Sequence, residues 1–327
     1  LKANTTGTEN VAIGFEAMRL VTTASSNVAI GNEAMENNVA ANNVGVGTKS
    51  LRANTTGTKN TSVGTEALNA ASTVDNNTAI GYRAGKTVTG ADNTIMGANA
   101  ALATTTAAGN VVIGNDAINT GVFTGDNNVV IGKLAGQDLT SAADNVLVGK
   151  NAGYNTTTGA NNVSLGSISL EANTTGSRNT AIGAESMNDN TTADNNTAIG
   201  YASLSKNTTG TSNTALGWAA LEVNTTASNN IAVGHAAARS NTTGTRITAI
   251  GYAALDGQDA LTSADDCVAV GYAALGGMTS GISCTGIGWQ AGINMVGNQN
   301  SSCFGYNAQP SSNSVDNEIT FGDGSVS

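Results

Sequence analysis

Asn196-Thr197-Ala198-Ile199-Gly200-Tyr201-Ala202-Ser203-Leu204, closed by the turn Asn207-Thr208-Thr209-Gly210, is one copy of a unit that fills this chain. Its central glycine recurs at Gly14, Gly31, Gly47, Gly64, Gly81, Gly97, Gly114, Gly132, Gly149, Gly166, Gly183, Gly200, Gly217, Gly234, Gly251, Gly271, Gly288, Gly305 and Gly322. Of the eighteen gaps between these glycines, fourteen are 17 residues, two are 16, one is 18 and one is 20. Length control this tight marks an array of equal structural units.

With the glycine as position 0, position −1 is Ile, Val, Leu, Met or Phe and position +3 is Ala or Ser in all nineteen copies. Position −4 is Asn in the first fourteen, then Ile247, Cys267, Cys284, Ser301 and Glu318. A helical repeat needs ten or more residues with apolar spacing of three and four, whereas here short runs of β-branched residues meet Gly- and Asn-rich turns. The expected fold is all-β: a parallel β-solenoid of about nineteen coils of ~17 residues, each covering its neighbour's edge. At about 4.8 Å per coil such a rod is on the order of 90 Å long.

Stacking in register gives the recurrent positions physical roles. Positions −3, −1 and +3 share one strand parity and are expected to face the interior, so Ile13, Ile30, Val46, Val63 and Ile80 form one apolar ladder and Val11, Val28 and Val44 a second. Glycine at 0 marks a bend or close backbone approach. Asn at −4 is expected to bond its own turn and the amide of the next Asn, a structural role. Position −2, usually Ala, and position +4 (Met18, Met35, Leu51, Leu68, Leu170, Met187, Leu204, Leu221, Leu255, Leu275) have the opposite parity. A second apolar stripe on a thin solenoid implies burial against other copies, so −2 and +4 are expected at subunit contacts of a homo-oligomer.

Composition narrows the function. With 39% hydrophobic but only 4% aromatic residues and one proline, the 327-residue chain builds a long narrow core rather than a large globular one. A net charge of −10 disfavours nucleic acid and anionic membrane as partners. No apolar stretch is long enough to cross a bilayer, no signal peptide opens the chain, and Leu1 falls in mid-repeat, as in a processed product or fragment.

Candidate chemistry is sparse. The single histidine, His235, sits at +1 of an ordinary repeat, so no Ser-His-Asp or Cys-His arrangement stands out and no enzyme activity is expected. Asp75, Asp126, Asp194, Asp265 and Asp316 at −6, with Asp92, Asp144 and Asp266 at −5, fit turn-entry residues making Asx bonds. The calcium-binding G-G-x-G-x-D nonapeptide is absent, and neither a metal nor a cofactor is expected. Cys267 and Cys284 share position −4 in consecutive coils, where parallel side chains suit a disulfide poorly, so free thiols are expected. Cys303 at −2 is expected on the subunit-contact face.

Position +1 carries the main candidate site. Seven consecutive coils place a ring there: Tyr201, Trp218, His235, Tyr252, Tyr272, Trp289 and Tyr306. Either the rings stack to stiffen the structure or fill a subunit seam, or they form a platform for sugar rings, and exposure of Trp218 and Trp289 separates the two. Thr-Thr pairs, as at Thr174-Thr175 and Thr208-Thr209, raise ice binding, but they sit beside turn glycines and vanish from several coils. The sequons they create are a by-product of the repeat.

The Asn-Thr-Ala-Ile-Gly units at 179–183 and 196–200, joined by Asn-Thr-Thr-Gly turns, resemble the repeats of viral and phage tail-fibre proteins. They are also similar to the head repeats of trimeric autotransporter adhesins, which form a trimeric left-handed parallel β-roll. The C-terminal stretch from Asp316-Asn317-Glu318-Ile319-Thr320-Phe321-Gly322 to Ser327 resembles the segment preceding a self-cleaving intramolecular chaperone in many phage fibres. The resemblance implies an array over 1–309, a terminal coil and chaperone lead-in over 310–327, and a homotrimer that joins end to end in a filament or stands alone. It implies a non-enzymatic fibre shaft on a virion surface or otherwise extracellular, without membrane insertion. The alternative is a bacterial surface adhesin binding host glycans or a receptor through the aromatic ladder.

Overall fold

The computed structural model describes residues 2–257 and 263–323. The chain is a parallel β-solenoid of about eighteen turns of about 17 residues, with no α-helix among the described residues. It divides into two compact units, Leu1–Asn161 and Asn162–Ser327. Leu1, and residues 324–327 of the expected chaperone lead-in, lie outside the described residues.

In the first unit, three-residue strands from β1 (Val11–Ile13) to β9 (Val146–Val148) pair in parallel, each with the next. The second unit repeats this from β10 (Val163–Leu165) to β21 (Ile319–Phe321), with β16 (Ser263–Asp265) and β18 (Ser280–Ile282) making a separate short pair. Equal phases lie opposite one another even across the irregular spacings, as in Val28 with Val44, Val111 with Val129 and Thr248 with Val268. Register is therefore set by side-chain phase, and a change in coil length is absorbed between the strands.

The strands stop at the glycine because the next coil comes too close for a side chain. Gly200 has φ +136°, and a Cβ on it would lie 2.4 Å from the carbonyl oxygen of Gly217. Beyond it the backbone enters the left-handed region repeatedly, at −5, +2 and +4, with non-glycine residues such as Asn195 (φ 60°), Ala202 (φ 52°) and Leu204 (φ 53°). Each such residue costs about 1–2 kcal/mol. The twist turns each N–H along the solenoid axis: Asn195 donates to Ser177 O (3.1 Å), Ala202 to Ala184 O (3.0 Å) and Leu204 to Ala220 O (2.9 Å). The ladder of hydrogen bonds thus continues through the turns.

Of the positions expected to face the interior, +3 does, whereas −3 and −1 do not. Position −2 is buried, as at Ala29, Ala79 and Ala198, together with +3 and +4, as at Ala67, Leu68, Ser203 and Leu204. The Ile and Val side chains at −1 point outward, with Ile13 59% and Ile250 40% exposed. Two causes produce the inversion. The coil is thin, so only Ala-sized residues fit on the strand opposite a Leu or Met at +4. The left-handed residues at +2 and +4 also break strict alternation, so +3 and +4 both point inward. Positions −2 and +4 are consequently core, not subunit contacts.

Volume is conserved across this core. Where +4 is Gly85, position −2 of the next coil is Ile95, and a Cβ on Gly85 would lie 2.8 Å from Ile95 Cδ1. Gly136 and Gly153 likewise make room for Leu147, whose methyl carbons would lie within 3.2 Å and 2.8 Å of their added Cβ atoms. Conversely, a Cβ on Gly45 at −2 would meet Met35 Cγ at 2.7 Å.

A charged clamp ties three coils together at the first unit's surface. Glu36, 5% exposed, lies between Arg19 (2.6 Å) and Arg52 (2.8 Å). Hydrogen bonds from Arg52 and Arg19 hold its carboxyl below the usual carboxylate range. A depressed folded-state pKa stabilises above the unfolded value and is lost as pH falls through the folded one.

Three outcomes are expected. Leu204→Ala empties a filled core position and should lower unfolding free energy by about 2–5 kcal/mol in urea, against less than 1 if the side chain faced solvent. Gly217→Ala should cost about 1–3 kcal/mol or more from backbone strain alone, and a neutral result would remove the close-approach argument. Glu36→Gln should flatten the loss of stability on acidification below the ordinary glutamate range, whereas an unchanged pH profile would show that the clamp contributes nothing.

Candidate functional site: an aromatic ladder

Position +1 follows the glycine bend and leaves the coil outward, so register alone stacks whatever occupies it. In the second unit the seven expected rings form one continuous pile. Centroid separations are 6.5 Å for Tyr201–Trp218, 4.5 Å for Trp218–His235, 5.0 Å for His235–Tyr252 and 5.2 Å for Tyr252–Tyr272. Tyr272–Trp289 and Trp289–Tyr306 follow at 5.9 and 4.8 Å, and no neighbouring planes diverge by more than 18°. The separation follows the strand spacing, about 4.8 Å, so the rings meet as offset stacks without adjusting the backbone. The Tyr201 hydroxyl donates to Glu185 (3.0 Å), which holds the phenol above its ordinary pKa.

Trp218 and Trp289 are 44% and 41% exposed. Within the pile each of them is stacked between two neighbouring rings. A sugar ring packs on an aromatic face, and outer faces without a ring neighbour occur only at Tyr201 and Tyr306, whose flanking +1 residues are Ala184 and Asp323. Phe15 and Tyr82 occupy the same phase in the first unit, where Arg83 packs 4.9 Å from the Tyr82 ring centre.

The rings border the outward strand positions. From coil 200 to coil 305, positions −3, −1, 0, +1 and +2 carry no Asp, Glu, Lys or Arg, while the whole chain is at −10. Leu216, Ile231, Ile250 and Ile287, all at −1 or −3, are each more than 40% exposed or close to it. The result is an uncharged strip of exposed aliphatic −1 side chains beside −3 side chains that are mostly hydroxyls (Thr197, Thr214, Thr248, Thr285, Ser302), with an aromatic margin.

The remaining candidates are structural. Asp at −6 accepts from the preceding coil rather than from its own turn: Asp75 takes Thr58 N–H (2.6 Å), Asp194 takes Ser177 N–H (2.7 Å) and Asp316 takes Gln299 N–H (2.7 Å). Among the described residues no three His, Cys, Asp or Glu side chains are grouped for a metal ion. The −4 asparagines form a buried amide ladder, in which Asn196 Oδ1 accepts Asn213 N–H (2.9 Å) and Asn196 Nδ2 donates to Gly210 O (2.9 Å). Asn230 ends it, accepting Ile247 N–H at 3.0 Å.

A second amide ladder, at +7, was not anticipated. Asn190 Nδ2 donates to Asn173 Oδ1 (2.9 Å), Asn207 to Asn190 (3.1 Å), Asn224 to Asn207 (3.1 Å) and Asn241 to Asn224 (3.2 Å). Its signal in the sequence is the constant phase of the Asn that opens each Asn-Thr-Thr turn. These are the sequon asparagines, and their fully buried amides are closed to modification in the folded chain. The first threonine of each pair donates to the carbonyl one coil on, as Thr191 does to Thr208 and Thr208 to Thr225.

Cys267, Cys284 and Cys303 are free and buried. Cys284 substitutes for the ladder asparagine by approaching Asn298 O at 3.1 Å. Cys303 lies in the core beside Met295 (3.9 Å) rather than on a subunit-contact face, because −2 points inward, and burial pushes its thiol up to about 11. No protein family, curated protein or solved structure matches the chain.

Trp218→Ala removes two stacked contacts, each worth about 0.5–1.5 kcal/mol. Urea unfolding should show a loss of about 1–3 kcal/mol, and a loss under about 0.5 would mean that the pile adds nothing to stability.

Proposed function

We propose that the chain is a non-enzymatic structural fibre segment, the shaft of a virus or phage attachment apparatus on the virion surface, working as a homotrimer. The uncharged strip of the second unit, with exposed aliphatic side chains recurring at the coil spacing beside the ring pile, carries this reading. Exposed aliphatic side chains in a line, with no charge among them, mark an association surface. Its ridges repeat at the coil spacing, so a second copy of the same solenoid matches it ridge for ridge along its whole length, which a globular partner does not.

Rigidity is the property such a shaft needs. Axial hydrogen bonds in strands and turns, two buried amide ladders and a ring pile all resist bending of a unit. Binding of a host surface by the fibre then gains from three chains held in parallel, through avidity rather than a single deep site. The stacking of each inner ring between two others favours the seam role over a sugar platform.

The mass of the native particle tests the proposal. Light scattering or native mass spectrometry should give three chain masses, and replacing Ile250 and Ile287 together by Glu should shift the particle toward one chain mass while far-ultraviolet circular dichroism stays β-rich. A monomer at micromolar concentration, or a trimer indifferent to these substitutions, would overturn it.

A further inference from the structure

The ring pile is uniform in geometry but not in chemistry. His235 lies between Trp218 (4.5 Å) and Tyr252 (5.0 Å), and an imidazole gives up an electron far less readily than an indole or a phenol. It sets Tyr201 and Trp218 apart from the four rings that follow. Tyr201 closes the pile on this side: its ring centre is 6.5 Å from that of Trp218, with planes 18° apart, and the preceding coil carries Ala184 at the same phase. Its hydroxyl donates to the Glu185 carboxylate at 3.0 Å. Among the described residues, no carboxylate accepts from the hydroxyl of Tyr252, Tyr272 or Tyr306.

That hydrogen bond decides which ring keeps an oxidising equivalent. An indole loses an electron and holds its proton for a time as a radical cation. A phenol that loses an electron becomes so strong an acid that, near neutral pH, the electron leaves readily only where the proton has a base to go to. Such a base must lie within about 2.6–3.2 Å of the atom that gives the proton, as Glu185 does. Trp218 and Tyr201 are 44% and 46% exposed, so a small oxidant reaches the indole, and the change of charge at the carboxylate is met by water.

We propose that Trp218, Tyr201 and Glu185 form a site of one-electron oxidation, in which an oxidising equivalent taken up at Trp218 comes to rest on Tyr201. The reactant is a small one-electron oxidant of the carbonate radical anion class. It takes one electron from the indole and leaves as carbonate, and Trp218 becomes a radical cation. An electron from Tyr201 then restores the indole while the phenolic proton passes to Glu185 along the existing hydrogen bond. The products are a neutral Tyr201 phenoxyl radical, a neutral Glu185 carboxylic acid and an unchanged Trp218, so the summed charge of the three groups is the same before and after the transfer. Tyr252, on the far side of His235 and without a carboxylate on its hydroxyl, does not compete. The site stands whether or not the chain is a fibre.

Flash photolysis that generates the carbonate radical anion beside the full chain tests the site, in a Trp289→Phe background where Trp218 is the single indole. The indolyl absorption should decay as phenoxyl absorption grows, at a rate independent of chain concentration, as transfer within one particle requires. Tyr201→Phe keeps a ring in the pile and should abolish this fast decay. Glu185→Gln keeps a hydrogen-bond acceptor but no base, and should slow the conversion by about 100-fold, the usual contribution of a positioned base. Circular dichroism in the far and near ultraviolet reports whether each variant keeps its fold and its stacked rings. An indolyl signal that never converts in the parent chain, equally fast conversion in Tyr201→Phe, which would make another tyrosine the terminus, or conversion indifferent to Glu185→Gln would overturn the proposal.

Discussion

Backbone hydrogen bonds directed along the solenoid axis are the interaction on which everything else in this chain rests. A three-residue strand supplies few such bonds, and isolated short strands do not hold together in water. The turns supply the rest, and they do so only because three residues per coil accept left-handed dihedrals that aim their N–H groups at the adjacent coil. Leu204 and Ala202 are poor residues for that region, so each coil trades local strain for an axial bond in a water-poor environment. The glycine at position 0 belongs to the same arrangement, since a side chain there would push the next coil off its bonding distance.

Once the coils are that close, the interior is narrow and its content is constrained. In a narrow interior a large residue on one side usually goes with a small one on the other, as Ala198 with the Leu204 layer and Ile95 with Gly85, while coil 114 holds Val112 and Ile118 together. Polar backbone at the corners must still be satisfied without water. The asparagines at −4 and +7 do this by offering an acceptor to one coil and a donor to a carbonyl, as Asn196 does with Asn213 and Gly210. Amide ladders of this type add to rigidity because every member is paired on both sides within its run.

The architecture was legible because it follows from periodicity alone. Nineteen equal units with β-branched residues before a glycine leave little choice but stacked coils, and the phase pairing of Val28 with Val44 confirms it across a shortened repeat. The Asn series and the continuous ring pile were legible for the same reason, as they need only register. What the sequence concealed was which face is inside. Ile at −1 is larger and more constant than Ala at −2, and hydrophobicity ranks it as core. Coil thickness and left-handed turn dihedrals at Leu and Met decide otherwise, and neither leaves a mark in composition. The same error moved Cys303 from the core to the surface. The +7 amide ladder was hidden behind its glycosylation motif, whose threonines drew the reading toward the outside of the turn.

The inversion changes what the outer surface means. Were −1 interior, its apolar constancy would be explained by packing within one chain. Because Ile250, Ile287 and Leu216 face outward, packing within one chain does not account for that constancy, and the proposed association of copies would. Parallel coils force any outward residue into a ladder, so each substitution on this face is repeated in effect along a line rather than at a point. A line of charges would repel itself at the coil spacing, whereas a line of aliphatic and aromatic groups is stable only if covered. The ring margin would fit that constraint in the proposed fibre as well, since the stacked rings hold the coils in phase while their exposed parts would meet a neighbour. In the proposed fibre, intrachain stiffness and lateral association would therefore draw on the same residues.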